Sequence, residues 1–295
     1  MFRMKGVVPP MITPFQENGD LDEDSLKTLV RFLSQKVDGL FITGSYGGGP
    51  LMNLAERKKV AEITVETAAD KIPVIVMVGT TNNRESVELA RHAEAVGAKA
   101  VAAVGPYYFT HKKEDLICFY RDLIESVRLP VYLYNNPAFQ GYEISLDTLQ
   151  ELKAIGLRGV KDATFNILTH ATYQRLLRDE QFDVALGTES MWLSARALGC
   201  EAFIPGLANA FPEINRQMYL EGMADEFAAC RQTQFKVNKL RDIMYLARST
   251  QLAIYAMLEL RGIIKAYPRA PFVPATEREK QSIGSALREI GMLNQ

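Results

Sequence analysis

Cysteine is scarce in this 295-residue sequence, with three thiols (Cys118, Cys200 and Cys230) far apart and odd in number. No C-x-x-C pair occurs, which argues against a disulfide scaffold or a zinc ribbon and predicts buried thiols in a reducing cytoplasm. Histidine is equally sparse. His92, His111 and His170 show no paired ligand spacing, so no metal site is expected, and no Ser-His-Asp arrangement is suggested. An excess of either charge is also missing: 34 Lys and Arg face 35 Asp and Glu. That balance argues against a nucleic-acid partner or an anionic membrane surface, which would call for a basic stripe. No apolar run approaches the roughly 18 residues of a membrane span. The opening MFRMKGVVPPMITPF has no long apolar stretch before a small-residue cleavage site, so no secretory leader is expected. What remains is a chain long enough for one large domain or two ordinary ones.

Short β-branched runs alternate with helical patterns along the chain. Runs near Val7–Thr13, Leu40–Gly44, Val74–Gly79, Ala100–Gly105, Val131–Tyr134, Arg158–Asp162, Val184–Gly187 and Ala202–Gly206 are too short for helices. They are also too continuously apolar for half-exposed strands, as buried parallel strands are. Helical periods such as ERKKVAEITVETAA and RESVELARHAEAV fill the gaps. Gly39, Gly97, Gly156 and Gly199 stand where helices should end and read as C-terminal caps. Eight β-then-α units predict an α/β fold, a (β/α)8 barrel over residues 1–222, with a doubly wound sheet as the competitor. Residues 223–295 carry helical patterns with almost no strand signal and predict a helical extension packed on the barrel.

Catalytic groups in such a barrel sit at the C-terminal ends of strands and in the loops that follow. Those ends supply Thr13, the loop Gly44–Pro50 (GSYGGGP), Gly79–Asn82, Gly105-Pro106-Tyr107-Tyr108, Tyr134-Asn135-Asn136-Pro137, Lys161-Asp162, Gly187-Thr188-Glu189 and Ile204-Pro205-Gly206. Lys161 lies on a strand that should face a crowded apolar interior. Desolvation there would lower its pKa and supply a neutral amine able to attack a ketone. The competing reading is an ion pair with Asp162, although adjacent strand residues face opposite sides. Tyr134 ends the preceding strand. It is either a packed aromatic or a phenol that relays a proton, with Ser45 and a second tyrosine (Tyr107 or Tyr108) holding its hydroxyl. The GSYGGGP loop lacks the lysine of a phosphate cradle and the dinucleotide spacing, so no cofactor is expected. Its backbone N–H groups and Ser45 would suit a carboxylate, the alternative being a flexible turn.

Taken together, these residues resemble the dihydrodipicolinate synthase/N-acetylneuraminate lyase superfamily of pyruvate-handling class I aldolases. The resemblance rests on Gly6…Thr13-Pro14-Phe15, Leu40–Gly47, Gly105-Pro106-Tyr107-Tyr108, Tyr132–Pro137, Gly159-Val160-Lys161-Asp162 and Pro268–Pro271. It implies that Lys161 is the Schiff-base lysine and Tyr134 the proton-transferring tyrosine. Ser45 and Tyr46 would lie in the loop that binds the pyruvate carboxylate, Ser45 also holding Tyr134. Tyr108 would match a tyrosine contributed across a tight dimer interface, and Gly187 and Ile204 would line the pyruvyl pocket. A homotetramer built from tight dimers is the implied assembly.

Departures from the family pattern narrow the substrate. The loop usually reads G-[ST]-T-G-E, whereas Tyr46 and Gly48 stand here at its second hydroxyl and acidic positions. Dihydrodipicolinate synthases carry an arginine for a second carboxylate where this chain has Phe139, which offers no bidentate fork. The P-A-[apolar]-x-G pattern resembles that of the sialic acid lyases and 2-keto-3-deoxy sugar-acid aldolases. Glu189 is expected to accept hydrogen bonds from a polyol. The threonine two positions past the lysine in many relatives is Ala163 here, with Thr164 beside it. The implied reaction forms or cleaves a 2-keto-3-deoxy sugar acid, or a related 2-oxo acid, from pyruvate and an aldehyde. The alternatives are a dihydrodipicolinate synthase, a sugar-acid dehydratase, and a non-catalytic 2-oxo-acid-binding protein.

Overall fold

The computed structural model describes residues 2–293. Its strands are β1 (Gly6–Val7), β2 (Leu40–Ile42), β3 (Val74–Met77), β4 (Ala100–Val104), β5 (Val131–Asn135), β6 (Gly159–Asp162), β7 (Asp183–Leu186) and β8 (Ala202–Phe203). All pair in parallel, in the order β1-β8-β7-β6-β5-β4-β3-β2. The two ends of that order meet where Pro10 bridges Phe41, with Met11 N–H donating to the Phe41 carbonyl (2.9 Å) and Phe41 N–H to Pro9 (3.0 Å). The barrel is therefore closed. Two strands are shorter than the apolar runs predict, because Pro9, Pro10 and Pro205 have no N–H to extend a ladder.

Helices α1 (Glu23–Ser34), α2 (Leu54–Ala68), α3 (Asn83–Ala95) and α4 (Lys113–Ser126) follow the first four strands. The short α5 (Pro137–Gln140) and then α6 (Leu146–Ala154) follow β5, and α7 (Ile167–Leu176), α8 (Trp192–Ala197) and α9 (Pro212–Met223) follow the last three. Side-chain caps start many of them: Asn53 and Glu56 form a capping box on α2, and Asn82, Ser145 and Asn166 cap α3, α6 and α7. Gly97, Gly156 and Gly199 adopt the left-handed conformation expected after helices. Gly39 does not. Helix α1 ends five residues earlier, and Gly39 instead lies flush against β3's entry, where a Cβ would come within 3.2 Å of the Pro73 carbonyl. Cys200 and Cys230 are buried, but Cys118 is exposed, on the face of α4 opposite Ile117 and Tyr120.

Alternation along each strand separates two cores. Val131, Leu133, Val160 and Leu186 point outward onto the helices. Tyr132, Tyr134, Phe41, Met77, Ala185 and Ile204 fill the barrel's interior. Lys161 pairs in register with Tyr134 on one side and Ala185 on the other, so it shares their inward face.

Beyond the barrel, α10 (Phe227–Met244), α11 (Thr250–Leu260) and α12 (Glu277–Glu289) form the C-terminal helical part. The segment between α11 and α12 returns to the barrel, where Tyr267 and Phe15 exchange backbone hydrogen bonds (2.9 and 3.1 Å). This carries Phe272, and the start of α11, to the mouth of the barrel. No described helix is long and apolar enough to cross a membrane.

Gly159, two residues before the lysine, allows β6 to approach its neighbours closely. A Cβ there would lie 2.5 Å from the Asp183 carbonyl and 2.7 Å from the Tyr132 ring. Gly159→Ala is expected to destabilise the fold by about 2 kcal/mol through overpacking, measured as a lowered urea midpoint at unchanged slope.

Candidate active site

Lys161 sits at the inner wall with its side chain buried. Its Nζ lies 3.9 Å from the centroid of the Tyr134 ring and 4.2 Å from that of Phe41. Among the described residues, no carboxylate lies within ion-pair distance of it. The two ring faces favour the cation modestly, but burial disfavours it more strongly and pulls the amine down to about 7 from its ordinary 10.5. Near neutral pH a large share of Lys161 is therefore a free amine.

The ion pair with Asp162 does not form, because Asp162 faces the other side of β6. There its carboxylate meets His170 Nδ1 (3.0 Å) and accepts from the Thr164 N–H and hydroxyl (3.0 and 2.7 Å). Burial alone would lower His170; its bond to Asp162, together with Cys200, outweighs that and raises it to about 9.

Tyr134 has two polar neighbours. The Asn136 amide donates to its hydroxyl at 2.9 Å, and Ser45 Oγ lies 3.5 Å away. Burial raises the phenol above its usual range, and both neighbours pull it back. Ser45 belongs to a loop that is structured rather than loose. Gly48 N–H donates to the Ser45 carbonyl (3.1 Å), which also accepts from Gln251, and a 3-10 turn follows at Gly49–Leu51. Thr43, just before the loop, is held at a positive φ of 54° while its hydroxyl bonds the Met77 carbonyl (2.8 Å). The N–H groups of Ser45 and Tyr46 have no protein acceptor among the described residues. They are two free donors in the loop whose Ser45 hydroxyl approaches Tyr134.

The other expected site residues are placed unequally. Gly187 bonds the Asp162 carbonyl (2.7 Å) against β6, and Ile204 lies in the inner wall. Phe139 stands at the mouth, 59% exposed. Tyr46 does not crowd the pocket: its ring packs over Gly206 and its hydroxyl donates to Thr250 (2.9 Å), with burial and nearby Glu189 raising the phenol.

Glu189 is not free to receive a polyol. It is buried, with Oε1 paired to Arg241 (2.9 Å) and Oε2 accepting the Gly206 N–H (3.1 Å). Tyr108 is 87% exposed at a φ of 82° and packs edge-on to Phe109 (5.0 Å), outside the site of its own chain. Tyr107 takes the near position instead. It helps line a cavity of about 290 Å³ that reaches Ser45 and is walled by Leu51, Met77, Val104, Phe139 and Phe272.

Sequence reasoning gave Asn136 no role of its own and missed Gln251, Thr250, Arg241 and Phe272. Asn136 stands within the Y-N-N-P motif and was findable as the second neighbour of Tyr134. The other four come from the C-terminal third and carry no local signal.

A desolvated amine and a hydrogen-bonded phenol at the C-terminal mouth of a (β/α)8 barrel define an enzyme of lysine-dependent carbonyl chemistry. Comparison with known proteins agrees. The Dihydrodipicolinate synthetase family matches residues 3–290, and the chain belongs to that family. Its members are pyruvate-dependent lyases and synthases that work through a lysine Schiff base, and this protein is an enzyme of that aldolase type. The chain is 32% identical over 295 residues to a 4-hydroxy-tetrahydrodipicolinate synthase of Phenylobacterium zucineum (strain HLK1), covering 99% of both chains. It is 29% identical over 300 residues to an Escherichia coli (strain K12) protein named "Probable 2-dehydro-3-deoxy-D-pentonate aldolase", again covering 99% of each. The solved structure of KD(P)GA from T. tenax superposes with a TM-score of 0.89 at 30% identity, over 97% of this chain and 99% of that one.

Two outcomes follow from the geometry. The unfolded chain protonates Lys161 below pH 10.5 and the folded chain only below about 7. Between these values the unfolded state binds more protons, so stability rises with pH through the window. Lys161→Met should therefore stabilise the fold most at pH 7 and below, by up to about 5 kcal/mol, and less as pH approaches 10. Urea midpoints at pH 6.5 and 9.5 check this. Separately, Asn136→Leu leaves Tyr134 only its long contact to Ser45. It should lower kcat about tenfold with little change in the KM for pyruvate, measured by steady-state kinetics.

Proposed function

We propose that the protein forms or cleaves a 4-hydroxy-2-oxo acid, a 2-keto-3-deoxy sugar acid or a related 2-oxo acid, from pyruvate and an aldehyde. The observation that carries this reading is the buried Lys161 amine, without a counter-ion, 3.9 Å from the Tyr134 ring.

Lys161 Nζ attacks the C2 carbonyl, and water leaves with a proton relayed by Tyr134, giving an iminium. In cleavage, the electrons of the C3–C4 bond flow into that iminium. The C4 hydroxyl gives up its proton to the Tyr134 relay, the aldehyde departs, and an enamine remains. Protonation at C3 and hydrolysis then release pyruvate and return the amine. The free N–H groups of Ser45 and Tyr46 hold the substrate carboxylate, and Ser45 steadies Tyr134.

The exposed Tyr108 acts in a neighbouring subunit of a homotetramer built from tight dimers, in the cytoplasm. Phe139 disfavours the synthase reading, because a second carboxylate would meet a ring there instead of a guanidinium. A relative named for aldolase chemistry at 29% identity supports the lyase reading.

Incubation with pyruvate and borohydride should yield a covalent adduct that peptide mass spectrometry locates at Lys161. Its yield should rise with pH through about 7 and then level off, because only the neutral amine attacks. Lys161→Ala should remove the adduct and at least about a thousandfold of the activity. Folded protein that forms no adduct sinks the reading. Faster condensation with aspartate semialdehyde than with any other aldehyde would assign the synthase activity instead.

A further inference from the structure

The cavity beside Ser45 opens onto the reacting region, since Ser45 Oγ lies 3.5 Å from the Tyr134 hydroxyl. On the lyase reading it is the space next to the reacting centre into which the group on C4 would extend. Its walls are mostly apolar: Pro50, Leu51, Met77, Val104, Phe139 and Phe272. Phe139 and Phe272 keep 59% and 40% of their surface in water, a large apolar area left uncovered at the mouth of a binding site.

Polar groups able to receive a hydroxylated chain are few. Glu189 is buried off the cavity, its oxygens facing Arg241 and the Gly206 N–H. One N–H of the Gln251 amide goes to the Ser45 carbonyl. Within one subunit Ser45 Oγ, Tyr107 and the Gln251 carbonyl oxygen are left, and the proposed assembly adds the partner subunit's Tyr108. Beyond those few groups, a further hydroxyl drawn into the cavity would lose its water against apolar walls.

We infer that this cavity is a subsite for an apolar tail, so that the aldehyde half of the substrate bears an aryl or branched-alkyl group rather than a polyol. The inference rests on the lyase reading above and chooses the related 2-oxo acids over the sugar acids within it. Size permits this. An apolar cavity of about 150 Å³ accepts benzene, and this one measures about 290 Å³.

Binding can be tested apart from chemistry in the Lys161→Ala protein, its fold checked by circular dichroism. Calorimetric titration compares 2-oxo-4-phenylbutanoate, which places a phenyl group on C4, with 2-keto-3-deoxygluconate. The phenyl acid should bind at least about tenfold more tightly. Adding the surface substitution Phe139→Ala should shrink that gap to about threefold or less. Equal affinities, tighter 2-keto-3-deoxygluconate, no measurable binding of the phenyl acid, or a gap indifferent to Phe139→Ala would each overturn the inference. These titrations do not depend on a Schiff base. A failed borohydride trap with the affinity gap intact overturns the lyase reading and leaves the apolar subsite standing.

Discussion

Removal of one ammonium group from water organises the centre of this molecule. Lys161 is carried into the barrel's interior because it shares a face with Tyr134 and Ala185 across two strand pairings. Among the described residues, no carboxylate meets it there. Asp162, one residue on, takes its charge through the wall to His170 and Thr164. The two-residue period of a strand thus separates a carboxylate from an amine that sequence adjacency would otherwise pair. Had they met, the lysine would stay protonated and be a poor nucleophile. The depressed basicity of Lys161 is a consequence of strand geometry and burial, which outweigh the modest pull of the Phe41 and Tyr134 ring faces toward the cation.

The helical region after the barrel completes the mouth. Arg241 on α10 engages Glu189, Thr250 at the start of α11 anchors Tyr46, and Gln251 holds the Ser45 carbonyl. These contacts tie the glycine-rich loop to α11 and help order a segment whose composition alone suggests a loose turn. The near-neutral net charge fits this design. On the proposed reading an anionic substrate is received by local donors and one amine, with little contribution from an overall positive field.

Much of this was legible in the chain. Eight apolar runs separated by helical periods announced the barrel, and the Tyr134 and Lys161 motifs announced its chemistry. The failures have specific causes. Gly39 resembled a helix cap because close strand approach and left-handed turns both select glycine. Cys118 was expected inside, but its position on α4 falls between buried neighbours on the outer face. Glu189 stood at the right place to contact substrate, yet no local pattern shows that an arginine 52 residues later claims it.

Local order in the sequence determined which segments become strands and helices, and strand parity set which residues face inward, because propensity and periodicity act over a few residues. That was enough to bring Lys161, Tyr134 and Ser45 to one end of one barrel. Only the tertiary structure decided which polar groups remain available there. Hydrogen-bond partners are allotted by contacts across 50 to 200 residues, such as Arg241 with Glu189 or Gln251 with Ser45. A carboxylate buried among such partners, as Glu189 is, presents no surface to a substrate.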